Sequence, residues 1–257
     1  FPTRRSSDLL FLKRKYYYLI SEKLFKASLR KRPCQKGKFS ALSFHENGGH
    51  GIMKKEALLQ AKAVYEIESE CIREMRAVFD EEPFAKAVDV LAKAARIGTT
   101  GCGHSGIMCQ HLAHLLCCIE RPSRFISPAE AVHGALGFLQ KGDVMLFASR
   151  GGKTKELLPI MDICKAKGVT RIVVTENLES PMARNADIVL KQYVNRETDR
   201  YNSQGTTSST ALCVIFHMLQ TALIEETGYK NEQFALIHPG GAVGERLNQK
   251  KEESRQG

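Results

Sequence analysis

The sequence predicts an α/β domain in which a parallel sheet is covered by helices on both faces. Three observations lead there. The strand candidates are short and continuously apolar, as in a sheet buried on both sides. Helical periods alternate with them one by one, as parallel connections require. Three of the turns that follow strands are dense in glycine and hydroxyl residues, and in open α/β sheets ligands bind at that edge.

The elements follow in order. From Met53 to about Phe79, Leu58, Ala61, Tyr65, Ile72, Met75 and Phe79 recur at steps of three, four or seven, the mark of an amphipathic helix. Glu81-Glu82-Pro83 breaks it, and a second helix runs from Pro83 to about Ala95 with Phe84, Val88 and Leu91 on one face. A strand from Arg96 ends in the glycine turn at Gly101, and His104 to Ile119 is an apolar helix. Ser123–Ser127 is a short strand, and Asp143–Ser149 is a buried one ending at Arg150-Gly-Gly-Lys-Thr154. Glu156–Ala166 is a helix with Gly168 at its C-terminal cap. Arg171–Thr175 and Asp187–Gln192 are strands flanking a helical turn at Pro181–Asn185. Thr206 or Thr207 caps a long apolar helix to about Thr227, and residues 248–257 form a polar, fraying tail.

The composition of the 257 residues, 43% hydrophobic and 26% charged, excludes wholesale disorder, a collagen-like repeat and a coiled-coil rod. The net charge of +10 would suggest a polyanionic partner. It is unevenly placed. Residues 1–52 hold 12 Lys and Arg against 3 Asp and Glu, whereas residues 53–257 hold 26 against 25. The apolar runs in that first segment are too short for a membrane span, and their interruption by Lys13-Arg14-Lys15 and the lack of a small-residue cleavage site argue against a signal peptide. Its first nine residues, Phe1 to Leu9, read as the translation of a sequencing-library adapter, and Gly48-Gly49 lies a few codons before Met53. Residues 1–52 are therefore expected to be non-native or a disordered basic segment, with the native start at Met53. No nucleic-acid or membrane partner is expected. The eight cysteines form no C-x-x-C pair, and Cys109, Cys117, Cys118 and Cys213 sit in apolar helical stretches. Free thiols in a cytoplasmic protein are the expectation.

The turns carry the chemistry. Gly101-Cys-Gly-His-Ser-Gly106 fits G-x-G-x-x-G, but the second strand lacks the acidic residue near its end that a dinucleotide site wants, so no nicotinamide cofactor is expected. In Ser149-Arg-Gly-Gly-Lys-Thr154, glycines, hydroxyls and a helix start converge, which suits an anion. Gly205-Thr-Thr-Ser-Ser-Thr210 is a third, hydroxyl-rich helix start. Plain N-capping would explain any one of them; three on one sheet edge point to a small phosphate-bearing ligand.

These residues, together with Ser127–Gly137, Ser180–Asp187, Thr206–Thr210 and Phe234–Gly244, resemble the SIS (sugar isomerase) domain, and within it the D-arabinose-5-phosphate isomerase family. The similarity covers about Met53 to Leu247, and His238-Pro-Gly-Gly-Ala-Val-Gly244 is its most specific stretch. The resemblance implies a three-layer α-β-α sandwich with a five-stranded parallel sheet, preceded by N-terminal helices. It implies an aldose–ketose isomerase, D-ribulose 5-phosphate to D-arabinose 5-phosphate or a related phosphosugar, working by enediol proton transfer without cofactor or metal. It also implies a homotetramer with active sites at subunit contacts. Ser149 and Thr154 match the family's phosphate-loop hydroxyls, with Arg150, Gly151, Gly152 and Lys153 between them, and Thr207, Ser208 and Ser209 match a second hydroxyl cluster. Gly103 and Ser105 flank His104 in the first loop, where the family has lysine. Glu156, Glu197 and His238 fall on acid/base positions; Glu197 is taken as the base, His238 for ring opening and Glu156 in support. Many members carry CBS regulatory modules, which are not expected here. Rival readings are a catalytically weak sugar-phosphate sensor, favoured by His104, and an isomerase of a hexulose 6-phosphate.

Other residues admit plainer roles. His104, His111 and His114 share one predicted helix, where the first and second lie about 10 Å apart, too far for one ion. His133 is as readily a packed or loop-capping histidine as a catalytic one. Glu156 fits a first-turn acid that suits the helix dipole.

Overall fold

The computed structural model describes residues 53–256. The basic segment 1–52, with Gly48-Gly49, lies outside the described residues, as does Cys34. Five strands form one fully parallel sheet in the order β2-β1-β3-β4-β5: β1 Ile97–Gly101, β2 Ser123–Phe125, β3 Val144–Ala148, β4 Thr170–Thr175 and β5 Ile188–Lys191. The strands are as continuously apolar as expected because both faces are buried. In β3, Val144, Leu146 and Ala148 enter one core, while Met145 and Phe147 enter the other.

Helices α1 (Lys55–Met75), α2 (Glu81–Lys93), α3 (Gly103–Cys117) and α7 (Thr207–Thr227) cover the first face. Helices α5 (Leu158–Lys167) and α6 (Pro181–Arg184), with the short α4 (Pro128–Ala131) and a 3-10 turn at Ala135–Phe138, cover the other. Two further helices, α8 (Asn231–Ile237) and α9 (Gly241–Gln256), end the described chain. Helix α7 is long and apolar enough to cross a membrane, yet Leu212, Phe216, Leu219 and Leu223 bury it in the core of the domain.

Several boundaries differ from the sequence reading. Helix α1 stops at Met75, not near Phe79. Pro83 does not separate two helices; it sits in the first turn of α2, where its missing N–H has no intrahelical partner to lose, and Asp80 caps that turn by accepting from Glu82 N. Helix α5 begins at Leu158 behind a turn closed by Leu157 N to Thr154 O, with Pro159 in its first turn, so Glu156 lies ahead of the helix and not in its first turn. Thr206 precedes α7 but does not cap it through its side chain. The tail is helical through Gln256 where fraying was expected. Gly168 does close α5 in the left-handed conformation, at φ 69°.

One charged pair clamps the start of β4 to β5. Buried Arg171 donates from Nε and Nη2 to the two oxygens of Asp187, 2.9 and 2.7 Å, and its backbone N donates to the same carboxylate. Burial would raise the Asp187 carboxyl, but the hydrogen bonds and charge of Arg171 outweigh it and hold the group below its ordinary value. A carboxylate depressed in this way stabilises the fold above its unfolded pKa near about 4, and that contribution is lost as pH falls through the folded value. Asp187→Asn is expected to cost on the order of 1 kcal/mol at neutral pH, given partial solvent screening, and nearly nothing in strong acid. Urea unfolding at the two pH values checks it.

Candidate active site

Strand order reverses between β1 and β3, and open parallel sheets leave a crevice at such a point. Gly101 and Ala148, the last residues of those strands, are register partners, so the first two turns leave the sheet side by side. In the first turn, a Cβ on Gly106 would lie 2.6 Å from Gly101 O, so the glycine pair lets α3 start hard against β1. That packing accounts for the G-x-G-x-x-G spacing without a dinucleotide.

The second turn closes on itself. Ser149 Oγ accepts from Gly152 N at 3.1 Å and shares a 2.8 Å hydrogen bond with Thr154 Oγ1. Gly152 has φ 62°, and a Cβ there would stand 2.0 Å from Ser180 Oγ. Arg150 O accepts from Thr175 Oγ1 and Glu176 N. Gly151 and Lys153 are exposed. The Arg150 guanidinium is committed within the protein: Nε donates to Glu176 and Nη1 to Glu197, each at 2.7 Å, and Nη2 to Val194 O.

Glu197 joins the second turn to the third. Its side chain is 4% exposed and both oxygens are engaged. Oε1 receives Arg150, while Oε2 receives Thr206 N at 3.0 Å, Ser208 N at 3.1 Å and Thr206 Oγ1 at 3.3 Å. A carboxylate with donated N–H groups at a helix start is favoured by the helix dipole. It does the capping that the hydroxyl of Thr206 was expected to do; that hydroxyl instead pairs with Thr198. Asn202, itself left-handed at φ 55°, accepts from Glu197 N at 2.6 Å and fixes the approach. Around the start of α7, Ser209 Oγ donates to Gly205 O, Gln192 donates to Ser208 O, and the buried Thr207 Oγ1 has no partner among the described residues.

The first turn meets the third through His104. Its Nδ1 lies 2.9 Å from Gly205 O. A carbonyl only accepts, so Nδ1 carries the proton, and the contact leaves Nε2 free of this hydrogen bond. Gly205 permits the contact, because a Cβ would be 3.0 Å from the ring. Gly103, at φ 55°, turns the chain into α3 just before His104, and Ser105 follows it. The exposed Glu156 lies near Cys102: burial raises that thiol and the Glu156 carboxylate adds to the shift.

The turns thus gather His104, Ser149, Thr154, Glu197, Thr207, Ser208 and Ser209, with Glu156 near the first. His133 is exposed on the loop after α4, beside left-handed Gly134. His238 ends α8, stacked on Phe234 at 4.9 Å with a buried, unpartnered Nδ1. Among the described residues no hydrogen bond, ion pair or ring contact joins it to the turns. Helix α8 is instead moored by Gln233 to Glu120, beyond the far end of α3. Sequence reasoning missed Gln192, Asn202 and Glu176 as positioning residues; for Gln192 and Glu176, a polar side chain directly after a strand was the available signal.

The SIS domain matches residues 90–222. Arabinose 5-phosphate isomerase KdsD of Pseudomonas aeruginosa is 39% identical over 173 residues, covering 67% of this chain and 53% of the relative. The chain thus spans about half the length of the curated relatives it matches. A Listeria monocytogenes crystal structure provisionally described as a sugar-phosphate isomerase superposes with a TM-score of 0.70 at 40% identity, covering 73% of this chain and all of that one. An Escherichia coli CFT073 protein in complex with arabinose 5-phosphate gives 0.66 at 29% identity, with the same coverage.

Proposed function

The chain belongs to the SIS domain family, and on that premise we propose that residues 53–247 form an aldose–ketose isomerase interconverting D-ribulose 5-phosphate and D-arabinose 5-phosphate. The observation that carries the reading is the buried Glu197 carboxylate bridging two anion-suited turns at the edge where the strand order reverses. Isomerisation moves a proton between C1 and C2 through an enediol, and a water-shielded carboxylate suits that transfer. To take a carbon-bound proton, Glu197 has to give up one of its present donors. Ser208 N and Arg150 Nη1 are the ones a bound sugar would replace or shift. His104 Nε2 is available to accept a hydroxyl proton, and Glu156 supports from the rim.

The phosphate end suits the Ser149, Thr154, Ser208 and Ser209 hydroxyls, with Lys153 as the cation offered, since Arg150 already holds two carboxylates. Lys153→Ala is expected to raise KM for the sugar phosphate roughly 10–100-fold, the worth of one charge-assisted contact, with a smaller change in kcat. Steady-state kinetics reads the split. His238 is assigned to ring opening in the site of another copy, which its distance in sequence and contact from the turns supports. This calls for an oligomer, a homotetramer by resemblance, which light scattering measures. The free thiols among the described residues fit the cytoplasm.

The test is a panel of pentose and hexose phosphates, scored for turnover and for thermal stabilisation. Interconversion of the ribulose and arabinose 5-phosphates is the expected result. Turnover of hexulose phosphates alone would move the substrate class. Stabilisation without turnover would favour a sensor, a reading to which the fully engaged Glu197 carboxylate lends support.

A further inference from the structure

Helices α3 and α7 run side by side from the two turns that meet at His104, with Gln220 on α7 donating to Leu115 O on α3. Midway along this seam, His111 of α3 faces Cys213 and His217 of α7. One ligand atom from each lies within 4.8 Å of the other two. Cys213 Sγ and His217 Nε2 are 3.3 Å apart, and the two imidazoles meet edge to face with centroids 5.8 Å apart. Zinc binds imidazole nitrogen at about 2.0–2.1 Å and thiolate sulfur at about 2.3 Å in a tetrahedron, which sets ligand atoms roughly 3.3–3.7 Å from one another. The cysteine–histidine pair already has that spacing, and a small rotation of the His111 ring closes the rest. Residues four apart on a helix share a face, so Cys213 and His217 present their ligands together. The partners of His111 come from a second helix, whereas His104 on its own helix lies seven residues away, too far to share an ion.

We propose that His111, Cys213 and His217 form a zinc site, with a fourth position left to water or a small exogenous ligand. The donor set, two imidazoles and a thiol, is that of a borderline-soft divalent cation and not of magnesium or calcium. Burial and the neighbouring His217 and His114 lower the pKa of His111, the direction that favours the unprotonated ring a metal takes. Burial raises the Cys213 thiol, so the ion takes the place of its proton, which passes to solvent. No electron moves. His217 is exposed and the other two are half-buried, so the ion enters from the surface. It lies about seven residues, roughly 10 Å, along α3 from His104. Bound there, it pins together the two helices whose first residues shape the candidate active site. The site stands whether or not the chain turns over a sugar phosphate.

The test uses the full, reduced chain and Co2+ as a spectroscopic stand-in, displaced by Zn2+. One equivalent of Co2+ is expected to give a thiolate-to-cobalt charge-transfer band and the intense visible bands of four-coordinate cobalt. Stoichiometric Zn2+ should bleach both and raise the unfolding temperature. Cys213→Ser should remove the charge-transfer band. Losing even a group that orients a ligand costs about 10–100-fold in affinity, so His217→Ala and His111→Ala should each weaken Zn2+ binding at least tenfold. His217 is exposed, so its variant keeps the fold and serves should His111→Ala unfold. The neighbouring pair His114, in the last turn of α3, and Cys118, just after it, 3.6 Å apart, is the control. His114→Ala and Cys118→Ser should leave band and affinity unchanged. Spectra and affinity untouched by Cys213→Ser and His217→Ala, or lost instead in the control variants, would overturn the proposal.

Discussion

Glu197→Gln is expected to lower turnover of the pentose 5-phosphate by about 10²–10⁴-fold, the usual share of a positioned acid or base. The amide keeps the shape of the side chain and one accepting oxygen for Thr206 N and Ser208 N. It cannot take a carbon-bound proton, and its NH2 group faces either the Arg150 guanidinium or those backbone donors. Glu197→Ala should do more than lower turnover. It strands the buried N–H groups of Thr206 and Ser208 and removes one of two carboxylates from Arg150, a loss of roughly 3 kcal/mol. Comparing the two variants separates chemistry from architecture. Glutamine should lose turnover while keeping more stability than alanine, which should unfold early. Equal kcat in Glu197→Gln and wild type would remove Glu197 from the base role.

Gly152→Ala is the second large effect. The left-handed backbone at φ 62° costs a non-glycine residue about 1–2 kcal/mol, and the new Cβ meets Ser180 Oγ at 2.0 Å and Ser180 Cβ at 2.5 Å. Relief by moving backbone in a packed region adds about 1–3 kcal/mol. The movement falls on the turn that holds Ser149 against Thr154 and sets Arg150 on Glu197, so sugar-phosphate binding should fail together with stability. Adding Ser180→Gly removes the clash but not the backbone strain, and also the hydroxyl that caps α6. The double variant should therefore recover part of the loss. Recovery to wild-type stability, measured by denaturant unfolding, would show that the strained φ carries no cost.

The strands were legible in the sequence because both faces of the sheet are buried, which leaves runs such as Val144–Ala148 and Ile172–Val174 apolar without interruption. The turn glycines were legible because left-handed or crowded backbone admits little else. Helices α8 and α9 were not, because their sequences are polar or broken by Pro239-Gly240-Gly241 and carry no clear apolar period. Pro83 was read as a helix breaker, yet it sits in the first turn of α2: proline stops a helix from inside but suits its first turn. Glu197 came from resemblance alone. Its donors Arg150, Thr206 and Ser208 lie 47, 9 and 11 positions away, and no local pattern links them. The meeting of His111 with α7 is likewise a product of packing between helices far apart in the chain.

The most direct measurement follows solvent deuterium into the sugar. Wild type and Glu197→Gln are each incubated with arabinose 5-phosphate in D2O and observed by NMR. Proton transfer through an enediol at this site predicts loss of the C2 hydrogen signal with wild type, alongside ribulose 5-phosphate, and no loss with the folded variant. Exchange at the same rate in both, or turnover by wild type with no incorporation of deuterium at all, would contradict it.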